Sequence, residues 1–209
     1  MRVLHKIPFL LPALFAFTLA AVAQDQKQPT SAELSKTETP GKALLRIFGY
    51  EEYEFRSAAE AMPEEKWSYR PAPGLFKNEK PEFGPSDVRT FAEQVKHVAC
   101  AQFAFFNQIE GKVPPEHCEK GGPSKATSKA DLLKYLRDSF SYGNKVLATM
   151  NAKNALDRVD GPYAGPNTRL GMTITAVWHI SVHYGQIAEY LRMNSIIPPP
   201  TQKYPLAVR

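Results

Sequence analysis

Four stretches of this 209-residue chain carry apolar residues at spacings of three and four. Each is closed by Pro or Gly, and no stretch alternates with period two. Leu44, Leu45, Phe48, Phe55 and Ala59 form the first stripe, and Pro63 ends it, which predicts a helix over 41–62. Phe91, Val95, Val98, Gln102, Phe105 and Ile109 form the second, ended by Gly111 and Pro114-Pro115, with Ser86 as the expected N-cap. The third starts near Ser128 and runs through Leu132, Leu136, Phe140, Val146 and Leu147 to Met150. Gly143 inside it costs about 1 kcal/mol relative to Ala, so close packing is expected there. The fourth spans 168–193, and Pro198-Pro199-Pro200 forbids its continuation. A helix with one apolar stripe must bury it, and four of them do so around a shared core. The fold class expected is therefore all-α, an antiparallel four-helix bundle, with its handedness left open by the long connections.

The ends of the chain read differently. Arg2 and Lys6 precede an apolar run from Ile7 to Leu19, and Ala21-Val22-Ala23 supplies small residues before Gln24. These are the three parts of a secretory signal peptide, and the run is short of the ~20 residues a membrane span needs. The expected organisation is a signal peptide over 1–23, a flexible leader over 24–40, the bundle over 41–200 and a tail over 201–209. A bacterial-type cleavable signal places the mature chain in the periplasm or outside the cell. Without Arg2 and Lys6 the basic count falls from 26 to 24 against 21 acids, and the basic residues form no cluster. That excludes a nucleic-acid footprint. No second long apolar run follows, so no membrane association is expected after cleavage.

Both cysteines, Cys100 and Cys118, lie in the mature part. An exported chain meets oxidising conditions, which permits pairing. The segment from Lys112 to Cys118 reaches back to Cys100 only by running almost straight along the helix it follows. Two unpaired thiols, one buried as a small hydrophobe, are the other outcome.

The mature chain keeps four histidines: His97, His117, His179 and His183. His179 and His183 stand four apart on the last helix, where Cβ atoms lie about 5–6 Å apart on one face. Both flank the stripe of Val177, Ile180, Tyr184, Ile187 and Leu191. His97 flanks the stripe of the second helix in the same way. Three seam-facing nitrogens fill three corners of a metal's coordination shell and leave the rest open. Spacing alone leaves a second reading, in which flank histidines only make core hydrogen bonds. Ile180 follows His179 where the zincin motif needs Glu, so that protease class is excluded. Gln186, one turn beyond His183 on the same flank, either orients a ligand or a metal-bound water or is a solvated residue of the bundle. His117, in a Pro/Gly loop, is expected at the surface, and Trp67 and Tyr69 either cap the bundle mouth or anchor their loop by packing.

Three pieces together resemble the DinB-like superfamily: the loop Met62-Pro63-Glu64-Glu65-Lys66-Trp67-Ser68-Tyr69-Arg70-Pro71-Ala72-Pro73, the helix carrying His97-Val98-Ala99, and the final helix with His179, His183 and Tyr184-Gly185-Gln186. The resemblance spans 41–199 and implies a four-helix bundle with a metal triad of His97, His179 and His183. Three neutral imidazoles suit a divalent transition metal, zinc or nickel first and iron next, rather than calcium or magnesium. The expected function is a metal-dependent hydrolase or transferase acting on an unidentified small-molecule substrate. The resemblance implies relatives that use low-molecular-weight thiols, and export argues against such a partner here, because those thiols are cytosolic. The alternatives are a non-enzymatic metal-binding or stress-related module, and a metal-free bundle acting as a homodimer through an exposed helix face.

Overall fold

The computed structural model describes residues 30–71, 88–163 and 167–202. The expected signal peptide, the proposed cap Ser86 and the tail from 203 onward lie outside the described residues. A short helix, α1 (Ser31–Thr37), falls within the span read as a flexible leader, 24–40. Thr30 caps it. Its N–H and hydroxyl both donate to Glu33 Oε2, and its hydroxyl accepts from the Glu33 N–H. That Thr-x-x-Glu pattern is a capping box, a local start signal that composition hides.

The bundle consists of α2 (Pro40–Ala61), α3 (Phe91–Ile109), α4 (Lys129–Ala148) and α5 (Arg169–Met193), followed by one turn, α6 (Pro199–Gln202). Thr39 caps α2 and Pro40 opens it, where the fixed φ of proline is already helical. The cap of α3 is Thr90 rather than Ser86, because Thr90 and Glu93 form a full capping box. Ser128 caps α4 as expected.

Contacts give the directions. Gly41, at the start of α2, lies against the carbonyls of Leu147 and Met150, while Lys129, at the start of α4, donates to the carbonyls of Glu60 and Met62. These two helices are antiparallel. So are α3 and α5, since Arg169 donates to the Ile109 carbonyl and Tyr190 to the Arg89 carbonyl. Phe103 stacks on both Tyr135 and Tyr142, and Lys112 donates to the Tyr142 hydroxyl. The neighbours α3 and α4 therefore run the same way, which requires residues 110–128 to travel back along the bundle.

Phe48, Phe106 and Phe140 meet at the centre of the core, with centroid distances of 5.3 Å for Phe48 to each of the others. Trp67 is a packing anchor. Its indole N–H donates to the Met62 carbonyl and its ring meets Phe91 edge-on. Tyr69 packs against Tyr190. A two-residue antiparallel ladder, β1 (Arg158–Val159) with β2 (Asn167–Thr168), was not expected; each strand is too short to show a period. Among the described residues no helix is long and apolar enough to cross a membrane.

Candidate metal centre

The seam between α3 and α5 brings His97, His179 and His183 together. His97 Nε2 lies 3.1 Å from His179 Nε2 and 3.2 Å from His183 Nε2. One ligand atom from each residue falls within 4.8 Å of the others. Nitrogens bound tetrahedrally at roughly 2.0–2.1 Å stand about 3.3 Å apart, so the spacing suits a single ion. Of the other two candidates, His117 lies elsewhere, exposed beside Glu116 and Glu119, and Gln186 joins the site through His183.

The far sides of the rings decide which nitrogen carries a proton. A carbonyl only accepts, so His97 must donate Nδ1–H to the Cys118 carbonyl, at 2.6 Å. His183 Nδ1 lies 2.8 Å from Gln186 Oε1 and 3.0 Å from Gln94 Oε1, two acceptors, so it too carries the proton. Gln94 in turn donates its amide to Gln186 Oε1. Both Nε2 atoms are then left as lone pairs facing each other. Two lone pairs at 3.2 Å repel unless a cation or a proton lies between them. His179 Nδ1 is buried without a partner.

Charge points the same way. Burial, then the nearby His183 and His97, then Arg89, push the pKa of His179 down to about 3. Burial first, then His97, bring His183 to about 4, against a rise from its Gln186 hydrogen bond. Burial also lowers His97, opposed by its bond to Cys118. All three rings are neutral near pH 7, the form in which imidazole binds a metal. Phe105 meets the His179 ring edge-on and walls one side. Among the described residues no carboxylate joins the cluster, and both cysteines are committed to a disulfide. The donor set is three imidazoles.

Gln94 is a candidate site residue that spacing does not reveal. It falls on the apolar stripe of α3 and reads as core, and at 4% exposure it is indeed buried. The one signal was its position, a polar residue one turn before His97.

A helical bundle with three histidines meeting across one antiparallel seam defines a class of fold and site. The chain belongs to the DinB superfamily, whose family model matches residues 48–187. Three solved structures share the fold. A DinB-like protein from Bacillus cereus ATCC 10987 is 18% identical, with a TM-score of 0.59, covering 76% of this chain and 95% of its own. A DinB-like protein from Bacillus subtilis is 19% identical, with a TM-score of 0.53 and coverages of 73% and 92%. A conserved protein from Enterococcus faecalis is 15% identical, with a TM-score of 0.55 and coverages of 73% and 95%. No curated protein matches.

Proposed function

We propose that this protein binds one divalent transition metal through His97, His179 and His183 and uses it as a hydrolase or transferase on a small molecule outside the cytoplasm. The observation that carries the reading is the pair of inward-facing lone pairs, fixed by acceptors behind the rings of His97 and His183. Zinc and nickel fit three neutral imidazoles best, and iron next. A metal held this way supplies Lewis acidity, which polarises a carbonyl and acidifies water. The protein's own part is to keep the rings neutral, to aim their Nε2 atoms and to exclude water on the Phe105 side. A recess of about 520 Å³, bordered by Arg70, Val88, Arg89, Glu93, Glu119 and Lys120, lies next to the turn that carries Cys118; none of the three histidines lines it. The disulfide between Cys100 and Cys118 supports an oxidising compartment, in keeping with the signal-like segment over 1–23.

Elemental analysis of the purified protein tests the reading. About one equivalent of transition metal per chain is expected in the wild type, and none in His179→Ala. Equal and negligible metal in both would sink it.

A further inference from the structure

The segment from Lys112 to Gly122 leaves the end of α3 and runs back along that helix, so that Cys118 returns beside Cys100, with the two Cα atoms 5.3 Å apart. Cys100 stands one turn after His97 on α3. Cys118 therefore does two things at once. Its sulfur is tied to α3, and its carbonyl accepts the Nδ1–H of His97 at 2.6 Å. That carbonyl also accepts the N–H of Gly121, closing a single turn. The turn needs left-handed backbone at His117 (φ 58°), Gly121 (φ 88°) and Gly122 (φ 70°). A Cβ at Gly122 would run into Cys100 Sγ, so the turn lies directly on the disulfide.

Most side chains of this turn face water. Glu116, His117, Glu119 and Lys120 are exposed. Arg89 donates twice to the Glu119 carbonyl, from the surface. Its buried attachments are the sulfur pair, with Cys100 fully buried and Cys118 4% exposed, and Gly121, which lies against the Lys96 side chain.

We infer that the Cys100–Cys118 disulfide is the positioning element for the His97 ring: it pins the Cys118 carbonyl that fixes the ring's tautomer and its aim into the triad. The inference rests on the metal-binding reading for its consequence, tighter metal binding, but its geometric core concerns the metal-free ring. Outer-sphere partners of metal-bound histidines typically change metal affinity by about 10- to 100-fold. Loss of the disulfide should weaken binding by that factor in protein that is still folded.

The test uses cobalt(II) as probe and reads its absorption during titration of oxidised wild type, Cys100→Ser/Cys118→Ser and Cys100→Ala/Cys118→Val. The helix content of each is checked by circular dichroism. A dissociation constant raised about 10- to 100-fold in a folded variant is the expected result; a value within about two-fold of wild type overturns the inference. A second measurement needs no variant. In metal-free wild type the His97 Nδ1–H should give a slowly exchanging proton resonance, which disappears when a phosphine reduces the disulfide while the dispersed backbone spectrum remains. A resonance that survives reduction overturns the inference. So does collapse of the whole backbone spectrum, since the bond would then be holding the fold rather than one ring. Oxidised wild type that binds no cobalt refutes the metal reading alone, and the proton resonance still decides the role of the disulfide.

Discussion

Glu51 lies in the seam between α2 and α5, 7% exposed, on an element that takes no part in the triad. Ser181 donates its hydroxyl to Glu51 Oε1 at 2.7 Å, while Oε2 is buried without a partner. Burial raises the pKa of this carboxyl above its ordinary 4.5, and the Ser181 bond only partly opposes it. Glu54 is raised as well, by burial first and then by the charge of Glu51. A carboxyl whose folded pKa is raised holds its proton longer in the native state than in the unfolded one. Its contribution to stability is thus greatest below about pH 4.5 and falls as pH rises through the raised value. Glu51→Gln should remove that slope. The melting temperature of the variant relative to wild type should climb between about pH 4 and pH 7, with most of the change complete once the native carboxyl has ionised. A constant difference across this range would show that the carboxyl is not what titrates.

Glycines in two helices show how packing overrides propensity. Gly49 on α2 has nothing within 4 Å of the place a Cβ would occupy. Gly143 on α4 would put that Cβ 2.5 Å from a ring carbon of Phe106 and 2.6 Å from one of Phe48. Both substitutions to Ala gain about 0.5–1 kcal/mol of helix propensity. At Gly143 the overpacking of two buried aromatic rings costs about 1–3 kcal/mol and dominates. Urea unfolding should therefore find Gly49→Ala more stable than wild type and Gly143→Ala less stable; the same sign at both sites would contradict the core described here. Helix interiors of this kind were legible from the sequence, because a stripe at spacings of three and four is a local property. Helix starts were less so. Thr90 rather than Ser86 caps α3, since only Thr90 has a Glu three residues on to complete the box. The ladder of β1 and β2 leaves no signal in the sequence, because two residues carry no period.

At the scale of the molecule, the triad joins α3 to α5, antiparallel neighbours whose histidines are 82 and 86 residues apart in the chain. A ligand that binds the folded state alone stabilises it by about 2.7 kcal/mol at 100 times its dissociation constant. For a domain of this size that is a rise in melting temperature of about 5–10 °C. Zinc at that concentration should produce such a rise in wild type, and His97→Ala should abolish it as fully as His179→Ala. A shift that persisted in His97→Ala would mean that the HxxxH pair binds metal without α3.

The sequence by itself determined four helices, their buried stripes, the surface place of His117, and the shared face of His179 and His183. These follow from dihedral preferences and from a period of 3.6 residues, which act within a turn or two. Only the tertiary structure decided that α3 and α4 run the same way, that the segment between them returns along the bundle, and that Cys118 and Gln94 each hold a ring from behind. Those outcomes depend on which stripes pair around the core, and pairing is a competition among distant surfaces that no local window contains. His97 joined the triad through the resemblance of three separated motifs; its spacing alone left it one flank histidine among several.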